Sequence, residues 1–453
     1  METGRLNLLF VAYHFPPDGS SGSFRSLHFA NHLQKLGVHV HALTARVESY
    51  MKDQPIDMKL LESVDEFIRI VRTPVSRPRE TLLSLRNQLN NGKPPACRSP
   101  VAVDPPEGPH RKPVSKIREF KNVLTDCLAL PDHHVGWLPW AVAAGLRMIR
   151  RDKIDAIYAS GGPWTCFLVG AMLKTLTGLP LVTDFRDPWA ANPVFLGKTN
   201  IVRCFATIME RQVVKAADLI IANTPELGQD FVARYPNLPE GMVTVIPNGF
   251  ENYNFDTRPA KASQLTLLHA GDIYGARSPK NLLKAALGLV RKGKIPKDGL
   301  RIIFLGELSA GDRDSQHVLQ DPIIKEIVEI SPRVPYHEAI EQQKASDVLV
   351  LIQPGFPLQV PRKLYDYMAF NKPILAVTDP LGATSRLMEE ADLGIVARNT
   401  AESIESSLEL LYGQWKKGTL NHRNRGDLDF FLNKNLSLTL YHAFANLAYR
   451  RHA

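Results

Sequence analysis

The chain has 453 residues, 44% of them hydrophobic and 22% charged, a globular composition long enough for two or three domains that argues against wholesale disorder and against a membrane-spanning protein. Its formal charge of +9 favours an anionic partner. Nucleic acid is disfavoured by the lack of zinc-finger spacing, RNP-like aromatics or a long basic helix, which leaves anionic lipid and phosphorylated small molecules.

The first apolar run, "LNLLFVAY", is too short for a signal peptide and is followed by "HFPPDGSSG", which is not a small-residue cleavage site. No apolar run reaches the 18 or so residues of a spanning helix. Cys97, Cys127, Cys166 and Cys204 show no metal-ligand spacing, so neither zinc nor a disulfide framework is expected and a reduced cytoplasm fits.

In chain order, candidate strands fall at 7–13, 38–43, 154–160, 180–185 and 218–223, with helical periodicity over 23–36, 138–151, 164–177 and 201–216. A second series of strands follows at 265–271, 301–306, 347–353, 373–378 and 393–398. Alternating strands and helices are the pattern of parallel sheets covered on both faces, so the fold class is α/β with two doubly wound units. The expected domains are 1–250 and 251–425, with 426–453 as an additional terminal helix. The stretch 73–116, rich in Pro, Arg, Lys and Asn, breaks the rhythm and reads as an irregular excursion, either disordered or a membrane or acceptor contact. The stretch 115–151 mixes basic and apolar residues at helical spacing and includes Trp137 and Trp140. It reads either as an amphipathic helix lying on an anionic membrane or as an ordinary helix packed on the core.

Three loops pair backbone N–H groups with cations. After strand 7–13, Gly19 and Gly22 would let a backbone approach a ligand and Arg25 falls in the first helical turn; the alternative is a glycine-rich turn without ligand. After Gly271, Ser278 is a candidate N-cap, and Arg277 and Lys280 flank the helix start. In "QVPRKLYDYMAFNKPILAV", Pro361 suits the first helical position, which puts Arg362 and Lys363 where the helix dipole disfavours cations by roughly 0.3–1 kcal/mol. Two cations there are explained by a nearby anion. Ligands of open α/β sheets bind beyond the carboxyl ends of the strands, where all three loops lie. A nucleoside diphosphate would satisfy them together, with Asp366 accepting from ribose hydroxyls. The competing explanation of the last two loops is an exposed basic turn and solvated cations paired across one helical turn.

At these residues the sequence resembles the two-Rossmann-domain (GT-B) glycosyltransferases of the retaining family 4 type, bacterial surface-polysaccharide enzymes in particular. The resemblance runs through "FPPDGSSGSFR", "VTDFRDPWA", "ERQVVKAADLIIANTPELGQDF", "VIPNGF", "HAGDIYGARSPKNLLKA" and "VPRKLYDYMAFNKPILAV". It implies two domains facing a cleft, a cytoplasmic enzyme and a terminal helix returning to the first domain; a lipid-linked acceptor at the inner face of a bacterial membrane would also explain the basic amphipathic stretch 115–151 and the charge of +9 as peripheral membrane contact. The donor would be a nucleotide-diphosphate sugar, UDP preferred over GDP on family frequency; the acceptor would be a glycan or polyprenyl-linked intermediate of exopolysaccharide, capsule or O-antigen assembly. Gly271, Arg277, Lys280, Arg362, Lys363, Leu364 and Asp366 would line the nucleotide diphosphate, and Gly355 and Phe356 would approach the sugar.

Asp366 matches the second acid of the family's Glu-x7-Glu motif, whereas Leu358 stands where the first acid is expected. Arg186 replaces the His of a His-Asp pair whose Asp is Asp187. The catalytic candidates implied are Arg277 and Lys280, stabilising charge on the leaving diphosphate, and Asp187, either orienting the acceptor or capping the turn before Pro188. No cofactor and no metal are expected, since cations would neutralise the diphosphate. His14, His134 and His269 read as structural rather than catalytic. Two other functions fit the architecture: a sugar-nucleotide 2-epimerase, and a non-catalytic protein that binds nucleotide or glycan.

Overall fold

The structure, a computed structural model, describes residues 6–52, 54–77, 130–193, 198–251, 263–273, 275, 277–308, 312–420 and 425–452. Most of the irregular excursion, from residue 78 onward, lies outside them, as do Cys97, Cys127 and residues 115–129 of the basic amphipathic stretch. The described residues form two compact units, those up to Gly249 with α-helical residues from Asn433 onward in one and Phe250–Leu432 in the other.

The first unit holds strands β1 (Asn7–Val11), β2 (His39–Ala45), β3 (Arg69–Thr73), β4 (Ala156–Gly161), β5 (Leu181–Phe185), β6 (Leu219–Ala222) and β7 (Val243–Val245). They pair in parallel in the order β3-β2-β1-β4-β5-β6-β7. The helices that carry the argument are α1 (Ser21–Lys35), α2 (Leu138–Asp152), α3 (Thr165–Thr177), α4 (Asn200–Ala216) and α5 (Pro225–Arg234). β1 shows why the strands read as continuous apolar runs. Leu9 and Val11 enter the core on one face of the sheet, and Leu8 and Phe10 enter the core on the other.

The second unit holds β8 (Leu265–Ala270), β9 (Leu300–Leu305), β10 (Val328–Ser331), β11 (Val348–Gln353), β12 (Ile374–Thr378) and β13 (Gly394–Ala397), paired in parallel as β10-β9-β8-β11-β12-β13. Among its helices are α6 (Lys280–Arg291), α7 (Arg313–Val318), α8 (Arg362–Met368) and α9 (Ala401–Lys417). A last helix, α10 (Asn433–His452), belongs to the first unit. It packs on α1, and its Leu436, Leu440 and Phe444 join Phe29, Ala30, Leu33 and Tyr158 in one core.

Three strands absent from the sequence reading, β3, β7 and β10, are all sheet edges. An edge strand is short and half solvated, so it needs no long apolar run. β3 reads "RIVRT", and β7 has only three residues. Helix α5 was also not anticipated; its start is an ordinary cap, Thr224 Oγ1 accepting from Leu227 N at 3.1 Å ahead of Pro225.

In each sheet the strand order reverses once, between β1 and β4 and between β8 and β11. At such a point the connections leave in opposite directions and open a crevice beyond the carboxyl ends. Those strand ends carry His14 and Gly161 in the first unit, and Gly271 and Gly355 in the second.

Candidate functional site

In the second unit the site is built outward from the end of β8. His269, 2% exposed, has Nδ1 2.9 Å from the Val350 carbonyl oxygen. Since a carbonyl only accepts, Nδ1 carries the proton, and the free Nε2 accepts from Lys363 Nζ at 3.0 Å. Burial, and then the charges of Lys363 and Arg277, hold His269 neutral. The hydroxyl of Tyr367 fixes the same strand end, accepting from Ala270 N at 3.0 Å and donating to Val350 O at 3.3 Å.

Gly271 follows at φ +95°, a left-handed conformation that favours glycine. A Cβ there would also stand 3.1 Å from Lys363 Nζ. Glycine therefore leaves room for the lysine. Burial first, and the nearby Arg277 second, pull the Lys363 pKa down to about 7. The Arg277 guanidinium lies 5.2 Å from the centre of the Phe356 ring. Lys363 and Arg277 thus act on each other in a poorly solvated corner at the switch point, with the carboxylates of Asp272, paired to Arg333, and Asp366 partly offsetting their charge.

α8 begins one residue later than expected: Pro361 is the N-cap, in an extended conformation, and Arg362 opens a helix of seven residues. Arg362 Nη2 pairs with Asp366 Oδ1 at 3.0 Å, one turn on. The two first-turn cations therefore differ in kind, Arg362 meeting its carboxylate on its own helix and Lys363 meeting a neutral imidazole.

In the first unit, His14 Nδ1 lies 2.5 Å from Asp18 Oδ2. Asp18 also accepts from Ser20 N at 2.8 Å and Gln54 Nε2 at 2.7 Å. Burial alone would raise its pKa, but the hydrogen bonds and charge of His14 hold it below the usual carboxylate range. His134 packs against Tyr13 with ring centres 4.1 Å apart, and burial, with His14 second, pushes its pKa down to about 3. Arg186 donates from Nε to Gly161 O at 3.0 Å, from Nη1 to Gly22 O at 2.7 Å and from Nη2 to Gly162 O. It ties the start of α1 to the end of β4. Asp187, beside it in the turn after β5, is half-buried.

The family model described as "Glycosyl transferase 4-like domain" matches residues 23–249, half of the chain. The chain belongs to this glycosyl transferase 4-like family. A "D-inositol 3-phosphate glycosyltransferase" of Paenarthrobacter aurescens is 27% identical over 255 residues, 54% of this chain and 60% of that protein. The chain spans about half to three fifths of the length of the curated relatives it matches. Among solved structures, sucrose-phosphate synthase from Thermosynechococcus elongatus superposes with a TM-score of 0.62 at 13% identity over 98% of this chain and 99% of its own. WaaG, described as a glycosyltransferase involved in lipopolysaccharide biosynthesis, gives 0.55 at 14% identity over 95% and 98%. These likenesses show the fold, two Rossmann-like parallel-sheet domains of the GT-B class.

Within this family member, the predicted site residues divide sharply. Gly271, Arg277, Phe356 and Lys363 come together at the end of β8, with Arg362 and Asp366 on the adjoining α8. Lys280, expected beside Lys363, instead pairs with Asp314 of α7, while Ser278 caps it by accepting from its N–H at 3.2 Å. Arg277 is the residue that acts on Lys363. The Leu364 side chain is fully buried and its N–H donates to Pro361 O at 2.9 Å, so it presents nothing to a ligand. Gly355, at φ +84°, and Phe356 direct their N–H groups at Asp379 Oδ2, at 2.8 and 3.1 Å, rather than into open space.

In the first unit Arg25 is not an anion ligand. It is 6% exposed, forks onto both oxygens of Asp184 at 2.8 and 2.9 Å, and donates to Ile246 O and Pro247 O at 2.8 and 2.6 Å. Gly22 and Gly19 serve packing. A Cβ at 22 would lie 2.9 Å from Arg186 Nη1 and His14 Cδ2, and one at 19 would lie 3.3 Å from Asp57 Cβ. The sequence reading passed over His269 as a site residue, and over Asp18, Asp184, Asp379 and Tyr367. A histidine in a buried strand, two residues before the glycine that ends it, was the one visible signal among them. Among the described residues no group of His, Cys, Asp and Glu could hold a metal ion.

Proposed function

We propose that the protein is a retaining glycosyltransferase that takes a sugar from a nucleotide-diphosphate donor held in the second unit. The observation that carries this is the Lys363–Arg277 pair, with Lys363 held by neutral His269 at the switch point of the sheet. The largest task in such a transfer is to stabilise negative charge developing on the departing diphosphate. Two cations in a poorly solvated site do this, and in this reading they take the place of a metal ion. Asp366, beside them, accepts from ribose hydroxyls once Arg362 shares it. UDP is the first nucleotide to test.

The acceptor side belongs to the first unit, which the family model matches. We assign to Asp187 the orientation of the acceptor hydroxyl, and we place the reaction in the cytoplasm of a bacterium, in assembly of a surface glycan. Several curated relatives are named for D-inositol 3-phosphate, so phosphorylated polyols belong in the acceptor panel beside polyprenyl-linked glycans.

The test is a thermal-shift panel of UDP, GDP, ADP and dTDP on the wild type and on Lys363→Ala. A diphosphate at about a hundred times its Kd adds roughly 2.7 kcal/mol of stability. The reading expects one nucleotide to stabilise the wild type and the variant clearly less. It is overturned if none does, or if the variant responds equally. Release of nucleoside diphosphate with acceptor-dependent formation of a glycoside then separates a transferase from a 2-epimerase and from a binding protein.

A further inference from the structure

Three neighbouring helices of the first unit share an outer surface that folding does not explain. α2 packs on α3 and α3 on α4. Their inward residues, among them Met148, Leu173 and Val213, enter a single core. Yet large apolar side chains remain outside: Trp140 is 46% exposed, Met172 43%, Leu176 59%, Ile201 53%, Phe205 49% and Ile208 49%. Ile201, Phe205 and Ile208 are spaced i, i+4, i+7 and form one stripe along α4. The core-facing stripe of α4 is already supplied by Val202, Ala206 and Val213. An amphipathic helix needs one apolar face to fold, and α4 has two.

The charges on the same helices have one sign. Arg147, Arg150, Arg151, Arg203, Arg211 and Lys215 are exposed. The two carboxylates of these helices are committed inward. Asp152, its side chain 7% exposed, accepts from Arg69 and Arg151 at 2.8 Å. Glu210, fully buried, binds Tyr235 Oη at 2.6 Å, Ala190 N at 2.8 Å and Arg234. A face meant only for water mixes both signs. Apolar residues among arginines, with a tryptophan at the margin, are the composition of a surface lying at the boundary of an anionic bilayer. No helix among the described residues is long and apolar enough to cross a membrane, so such contact lies on the surface.

We propose that this face, which runs from α2 across α3 to the apolar stripe of α4, docks the protein on an anionic lipid surface. The arginines meet headgroup phosphates, and Ile201, Phe205 and Ile208 enter the boundary of the acyl chains. The inference stands apart from the donor site and does not depend on it.

The experiment is co-sedimentation of the full chain with vesicles of phosphatidylcholine alone and of phosphatidylcholine with about 30% phosphatidylglycerol, an anionic fraction large enough for an electrostatic term. The expected result is binding to the anionic vesicles that weakens as salt is raised. Phe205→Ser with Ile208→Ser should lower the partition coefficient about tenfold or more, since lost apolar insertion weakens interfacial binding. Arg211→Gln with Lys215→Gln, which replaces the two exposed cations beside the stripe, should weaken binding and flatten its salt dependence. Leu410→Ser, removing a 52%-exposed leucine of α9, should change nothing.

Cys204, exposed beside Phe205, offers a direct reading. The Cys166 thiol is buried and pushed up to about 12, so it resists labelling. With Cys97 and Cys127 replaced by Ser, an environment-sensitive fluorophore on Cys204 should shift to the blue on anionic vesicles. Absence of binding, an unshifted label, or equal binding by the Phe205/Ile208 variant overturns the proposal. A concentration-dependent dimer abolished by that variant also overturns it, because the stripe would then belong to a second copy.

Discussion

Lys363 holds its proton weakly, and this gives the proposed donor site a pH dependence whose sign can be worked out. Its pKa is about 7 in the folded protein against 10.5 ordinarily. A bound diphosphate favours the charged form, so above pH 7 binding must take up a proton. Affinity should be flat with respect to this group below about pH 7 and fall by up to about tenfold per unit above it. Calorimetric titration of the nucleotide at pH 6.5, 7.5 and 8.5 reads this directly, and Lys363→Arg, which stays charged, should remove the slope. In the free protein the sign is opposite. Between pH 7 and 10.5 the unfolded chain holds the proton that the folded chain releases, so this group's contribution to stability rises with pH. Arg25 provides the contrast. Arg25→Ala leaves Asp184 charged and buried without its partner, and should cost about 3–5 kcal/mol in urea unfolding while leaving nucleotide affinity unchanged. Asp187→Asn should lower kcat with little change in Tm; a fall in Tm alone would return Asp187 to capping its turn. At this scale the sequence showed which loops carry cations, because spacing places residues at helix starts. It did not show where each cation points. Lys280 and Arg277 are three residues apart, and only the fold sends one to Asp314 and the other to Phe356.

Among the elements, the buried strands were legible because both faces of a central parallel strand are apolar, which writes the run into the sequence. The edges were not, for the same reason: β3 carries Arg69 and Arg72 and remains half solvated. α10 was legible as a helix, but its role is visible only in space, where it supplies one side of a core otherwise made mainly by α1 and one face of the strands β1, β2, β4, β5 and β6. Leu440 is fully buried there, and Leu440→Ala should cost about 2–5 kcal/mol in chemical denaturation. α4 offered a clear helical period, but periodicity alone could not reveal that a second apolar stripe would be left uncovered by α2 and α3.

In the whole molecule, two sheets with reversed strand order place their chemistry at comparable positions, one at the end of β1 and one at the end of β8. The two units differ in how the chain builds them. Among the described residues the second is one continuous stretch, Phe250–Leu432, and the first is closed by Asn433–His452. Residues 250–432 expressed alone should therefore fold and bind the same nucleoside diphosphate as the full chain, read by thermal shift. A chain stopped at residue 432 should keep that response but show a separate, lower first-unit transition, because Phe29, Leu33 and Tyr158 lose their cover.

The return of α10 also fixes an order of events during synthesis. The ribosome delivers the first sheet early, yet the helix that shields one side of it arrives only after roughly 200 further residues, a delay of roughly 10–40 s at ordinary elongation rates. The later-made unit is complete before the earlier one. Throughout that interval a nascent chain presents a greasy sheet face to the cell, so its yield should depend on chaperones that hold nascent chains more than on the speed of folding itself.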